Sequence, residues 1–403
     1  MTALLGMSPA TTLCEICSVQ RGVGAKISTA AIRGTSTPRS RLDDNGFANH
    51  RSSHSQRIII MDDSQNTSAE STKKFTSKMP EQFGIQARGF ADADTATRLA
   101  TIVGEAVRAL GGKFDLSGLD GITLAVDYNQ ALLDLDRGYE TNCKLTATNS
   151  HVVGVAMTPG VLRNGALKSH IVLNAHHISP LIDLEDAQGR DHAIHILAHE
   201  CGHVEVTNAF DRCFPNVLLR QKNGSILEQM QWQVILAVWD EFAVTSISAG
   251  FGESQTEAYE NTFINDLAQA DKRSNRLILN YREHGSVDQI LGEIYGCYGD
   301  VLKFAAYHLG NLQGLGIRWQ DSGKTASTLK DHWFLPYFER LQAACLEIAK
   351  DYGEWKNKAS FTLIADIIDD LVERAGLLIE PMEDDRFWVD IPYTPETDPL
   401  LCE

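Results

Sequence analysis

Between Asp92 and Leu110 the apolar residues Ala96, Leu99, Ile102, Val103, Ala106, Val107 and Leu110 recur every three or four positions, which predicts an amphipathic helix closed by Gly111-Gly112. The period then shortens. Gly121–Asp127 alternates large apolar Ile122, Leu124 and Val126 with smaller residues, and 151–157 and 169–174 are two further short runs that predict strands. Thr158-Pro159-Gly160 and Asn164-Gly165 lie between the last two and predict an antiparallel hairpin. Helical spacing returns near Asp186 or Asp191, either of which can cap a helix carrying the stripe Ile194, Leu197, Ala198 and Cys201. A long helix over 225–249 opens with a Ser-x-x-Glu box and ends at Gly250; helices over 256–275, 286–309, 331–352 and 361–377 follow. This order predicts an α+β chain, a small mostly antiparallel sheet first and helices after it.

The first 78 residues have no such pattern. They are rich in Ser, Thr, Arg and Gly, and over 1–60 Lys and Arg (Arg21, Lys26, Arg33, Arg39, Arg41, Arg51, Arg57) outnumber the acids Glu15, Asp43 and Asp44. Such a composition predicts a disordered basic extension, with Met61 read as the true start. No basic stretch followed by a 7 to 15 residue apolar core marks a secretory signal. At the other end, 380–403 is acidic and carries Pro381, Pro392, Pro395 and Pro399, which predicts an extended tail.

Charge and cysteine usage narrow the class. A formal net charge of −17 argues against nucleic-acid or anionic-membrane partners, whose phosphates are held by clustered Lys and Arg. No run of 18 apolar residues occurs. The eight cysteines form no disulfide framework, and the one close pair, Cys14 and Cys17, has no second pair beside it, so it reads as incidental and the compartment as cytoplasmic.

The chemistry sits in His199-Glu200-Cys201-Gly202-His203. Histidines four apart share a helix face about one turn from each other, so both imidazoles reach one tetrahedral ion; Glu200 between them is placed to take a proton from water. His195 offers a rival pair with His199. His195 and His203 lie about 12 Å apart along the axis, at about 1.5 Å per residue, too far for one ion to bind both. The pair that brackets a glutamate is His199/His203, and His195 reads as structural or as support for a ligand. A catalytic zinc needs a third protein ligand. Glu241 falls in the apolar stripe Met230, Val234, Ala237, Val244 and Ser248, where an unpaired carboxylate would be costly to bury. Asp240 and Glu228 are the alternatives, Asp240 also explicable as acceptor from a ligand histidine and Glu228 as the capping-box residue.

His199-Glu200-Cys201-Gly202-His203 followed by Glu241 in Trp239-Asp240-Glu241-Phe242-Ala243-Val244 resembles the gluzincin branch of the zincin metallopeptidases over about 60 residues. The positions a metzincin fills with Gly and His are Val206 and Ala209 here. The resemblance implies a Zn2+ hydrolase acting on a peptide or protein, with His199, His203 and Glu241 as zinc ligands and Glu200 as general base. It also implies a zincin-like two-lobe fold: a first lobe over 79–250 with both metal helices, and a helical lobe over 251–379. An edge strand beside the metal, 151–157 or 169–174, would pair with extended substrate. Tyr295, Tyr298, Tyr307 and His308 are the available donors for an oxyanion. A non-catalytic zinc-binding regulator on the same scaffold is the other class that fits.

Overall fold

The computed structural model describes residues 78–147, 154–220, 224–382 and 387–400. The expectations for the N-terminal extension, Met61, Cys14, Cys17 and residues 151–153 lie outside these. The first half of the described chain is strand β1 (Gly84–Arg88), helix α1 (Ala93–Leu110), β2 (Leu119–Ala125), helix α2 (Tyr128–Leu133), then β3 (Ala156–Met157), β4 (Gly160–Arg163) and β5 (Ala166–Asn174). Helix α1 starts where the Asp92 side chain accepts from Thr95 N, and it buries Leu99, Val103, Val107 and Leu110, the predicted stripe.

The sheet order is β1-β2-β5-β3, with β4 also pairing β5. It is mixed rather than mostly antiparallel: β1, β2 and β5 run parallel, and only β3 and β4 run against β5. The parallel pairing arises because α1 carries the chain back across the sheet between β1 and β2, a crossover the expectation lacked because β1 (Gly-Ile-Gln-Ala-Arg) is short and offers only Ile85 and Ala87 as apolar positions. Asn164 and Gly165, both with positive φ (52° and 79°), form the two-residue turn that sets β4 against β5. The 158–160 signal makes no turn: β3 and β4 keep one register along β5, and His170 N donates to Pro159 O between them. Because β5 is paired on both sides, 156–157 rather than 169–174 lies at the sheet rim.

The second half is helical: α3 (Ala175–Ile178), α4 (Ala187–Cys213), α5 (Ile226–Ser248), α6 (Thr256–His284), α7 (Val287–Leu315), α8 (Gly323–Leu329), α9 (Leu335–Lys350) and α10 (Thr362–Arg374). Asp186 caps α4 by accepting from Gly189 N, and Ser225 caps α5 by accepting from Glu228 N. Helices α6 and α7 run past their expected ends to Gly285 and Gly316, whose φ of 67° and 68° suits the residue that terminates a helix. The tail is more ordered than an extended strap: β6 (Leu378–Pro381) and β7 (Phe387–Asp390) pair antiparallel, and Val389 and Ile391 are buried.

Two cores meet on α4. Its residues Ala193 to Val204 pack with α1 and the sheet, whereas Val206, Ala209 and Phe210 join the core of α5, α6, α7, α9 and α10. Helix α5, which a lobe division at 250 puts with the sheet, shares the second core and is buried nearly all round. Its close neighbours are glycines. Gly202 brings α4 against Val244, where an added Cβ would stand 3.0 Å from Cγ1, and Gly299, Gly310 and Gly314 bring α7 against Val234, Phe242 and Ser246. A Cβ on Gly310 would collide with the Phe242 carbonyl and the Thr245 hydroxyl, and that hydroxyl already donates to Glu241 O at 2.7 Å. Gly310→Ala is therefore expected to lower stability by about 1–3 kcal/mol, read from its urea midpoint, because neither backbone nor bonded hydroxyl can yield. Gly316→Ala, with nothing within 4 Å of the new Cβ but a φ of 68°, serves as the comparison that costs strain alone.

Candidate metal centre

Helices α4 and α5 pack side by side and aim their polar residues at one point. His199, Glu200 and His203 on α4 are fully buried, and Glu241 on α5 is 2% exposed. His199 Nε2 and His203 Nε2 are 3.2 Å apart, and Glu241 Oε2 lies 3.5 Å from the first and 3.8 Å from the second. Adjacent ligands of a tetrahedral ion with bonds of about 2.0–2.2 Å stand roughly 3.3–3.6 Å from one another, so the three atoms fit one metal. Glu241 Oε2 has no hydrogen-bond partner, as a ligand atom pointed at an ion would not. This buried group of two imidazoles and a carboxylate can hold a metal ion.

The alternatives fall elsewhere. Asp240 Oδ2 lies 2.9 Å from His203 Nδ1, behind the ring rather than beside the other ligand atoms, where it fixes the ring orientation and leaves Nε2 for the ion. Glu228 is at the first turn of α5, about 20 Å along the axis from Glu241 at about 1.5 Å per residue. His195 is held on both ring nitrogens: Nδ1 donates to Phe251 O at 3.3 Å and Nε2 accepts from the Tyr259 hydroxyl at 3.1 Å. Burial, with His199 beside it, pushes His195 down to about 3, so it stays neutral. Purified protein should accordingly lose its metal on His199→Ala or His203→Ala and keep it on His195→Ala, measured by elemental analysis. Loss by the His195 variant with retention by the His203 variant would move the ion one turn up the helix.

The charges around the site oppose one another. Burial raises the Glu200 carboxyl above its ordinary range, only partly offset by His203, His199 and a hydrogen bond from Thr158. Burial works against charge on Glu241 too, but His203 and His199 hold it below the usual range. His203 is raised: against burial stand Asp240 and Glu241. A carboxylate lifted towards neutrality is a stronger proton acceptor, which suits Glu200 to base chemistry better than the depressed Glu241.

Three tyrosines close the site. The Tyr307 ring on α7 stacks on His199 (centroids 6.0 Å, planes 6° apart), and burial followed by the Glu241 carboxylate pushes its phenol well up. Tyr259 on α6 lies 5.2 Å from Tyr307, and Tyr128 at the start of α2 has a buried, unpartnered hydroxyl whose charged neighbour is Glu200. Of the four expected oxyanion donors only Tyr307 is at the centre. Tyr295 donates to Asp369, Tyr298 to Asp271, and His308 pairs with Thr325. Sequence reasoning missed Thr158, Tyr128 and Tyr259. Thr158 was hidden inside a turn signal, and the two tyrosines carry no spacing that distinguishes them from core residues.

No family model matches the chain, and no curated protein or solved structure is significantly similar to it.

Proposed function

We propose that the protein is a zinc-dependent peptidase of gluzincin type, with His199, His203 and Glu241 holding the ion and Glu200 acting as general base. The observation that carries this reading is the convergence of two imidazole Nε2 atoms and one carboxylate oxygen from α4 and α5, with a raised carboxyl one residue from the first histidine. A zinc ion held by two nitrogens and one oxygen would keep a position for water or substrate. A zinc ion there supplies Lewis acidity, which polarises a carbonyl and acidifies water. Glu200 takes the proton from the attacking water and returns it to the leaving amine. Asp240 keeps His203 in the tautomer that presents Nε2, and Tyr307 flanks His199 as a neutral donor.

The substrate class proposed is a peptide or protein bound along β3 at the rim of the sheet, and the fold a zincin-like pair of lobes. The compartment proposed is the cytoplasm, in keeping with the free thiols of Cys201, Cys213, Cys297 and Cys345. No helix among the described residues is long and apolar enough to cross a membrane. The test is digestion of a defined peptide library by the full-length protein, with and without a chelator. Cleavage abolished by chelator and restored by stoichiometric zinc is expected; cleavage indifferent to both would reject the reading.

One observation favours a second reading, that of a zinc-binding regulator without catalysis. The histidines are fully buried and Glu241 is 2% exposed, so the site is closed to solvent. Against it stands Glu200, a buried carboxyl whose presence a purely structural site does not explain.

A further inference from the structure

We propose that Thr158 is the positioning residue that aims the Glu200 carboxylate, tying down Oε2 so that Oε1 is the atom left for the proton. The proposal deepens the reading of Glu200 as base, while the contact itself stands apart from it. Thr158 Oγ1 donates to Glu200 Oε2 at 2.6 Å and lies 3.4 Å from the Glu200 carbonyl, and both residues are fully buried. Glu200 Oε1 has no hydrogen-bond partner. A hydroxyl bonded this closely to a carboxylate is a charge-assisted contact of the stronger kind, and at full burial no water competes for it.

The chain holds that hydroxyl rigidly. Thr158 precedes Pro159, which restricts its backbone to the extended region, and its branched Cβ restricts the side chain to few rotamers. On one side Met157 is in register with Val172 of β5; on the other, Pro159 O accepts from His170 N at 3.0 Å. Gly160 then passes under Leu219, where an added Cβ would stand 3.1 Å from Cδ1. The donor is thus fixed by the sheet, and the acceptor by α4. Alignment of the base therefore depends on the rim of the sheet, next to β3, where the substrate is proposed to lie.

Thr158→Val keeps the shape of the side chain and removes the donor; Thr158→Ser keeps the donor. In urea unfolding of the full-length, metal-loaded protein, Thr158→Val should lower the folding equilibrium constant by about 10- to 100-fold, as a lost hydrogen bond to a charged group does. In a Glu200→Met background the same change should cost less than about threefold, because both partners are then apolar. With a quenched-fluorescent peptide library as probe, Thr158→Val should lower kcat by about 10- to 100-fold at little changed KM and full zinc content, and Thr158→Ser should restore most of it. Equal costs in the two backgrounds would overturn the link between Thr158 and Glu200, and full kcat in Thr158→Val would overturn its positioning role. If the parent protein cleaves nothing, the peptidase reading fails, and the two-background comparison alone decides whether Thr158 holds Glu200.

Discussion

Glu200→Gln should abolish most hydrolysis, a fall of roughly 10² to 10⁴ in kcat, while the protein keeps its full complement of metal. The reason is positional. Glu200 is one residue from His199 yet is not among the three atoms that converge, so on the proposed reading its carboxylate serves the water and not the ion. Glutamine preserves shape and can still accept from Thr158, which donates to Oε2 at 2.6 Å, but it cannot take a proton. Zinc content and melting temperature therefore stay near the parent values while the rate collapses. A variant that loses zinc as well would place Glu200 among the ligands.

Glu241→Gln should fail in the opposite way, with metal affinity, stability and hydrolysis falling together. Its carboxylate is buried at 2% exposure, and the groups that offset that burial are His203 and His199, joined on the proposed reading by an ion between them. Removing the charge weakens the metal by about 10-fold or more and leaves two histidines crowded at 3.2 Å. Zinc titration and thermal melts on this variant, on Asp240→Asn and on Glu228→Gln separate the three carboxylates. Asp240→Asn should weaken zinc through the loosened His203 ring, and Glu228→Gln, at the far end of α5, should leave it unchanged. Zinc binding at the parent level by Glu241→Gln would remove it from the ligand set.

Much of this architecture was legible in the sequence because the signals were local. Helical spacing marked α1, and cap residues marked α4 and α5: Asp186, one of the two caps offered for α4 beside Asp191, and Ser225 both accept the first-turn bonds. The bracketed glutamate separated His199/His203 from the His195 pair, and the structure gives His195 two other partners. Stripe position alone placed Glu241 near the histidines, yet it could not remove Asp240, since adjacent residues on a helix point about 100° apart and the facing helix decides which meets the metal.

What failed to show was non-local. Parallel pairing of β1, β2 and β5 depends on a first strand, Gly84–Arg88, that lies at the sheet edge and is too short, with only Ile85 and Ala87 apolar, to be recognised by its alternation. The glycine seam of Gly299, Gly310 and Gly314 looks in sequence like a weakness in α7, and only the approach of α5 explains it. Thr158 belongs to the same group: a residue between a strand and a proline acquires its role from a helix more than 40 positions later.

On the proposed reading one metal ion is held by one particular set of atoms. Anomalous diffraction across the zinc edge, on crystals of protein purified without chelator, tests it most directly. The expected result is a single peak per chain within about 2.0–2.2 Å of His199 Nε2, His203 Nε2 and a Glu241 oxygen. A peak between His195 and His199, or a fully loaded crystal with no peak at Glu241, would contradict it.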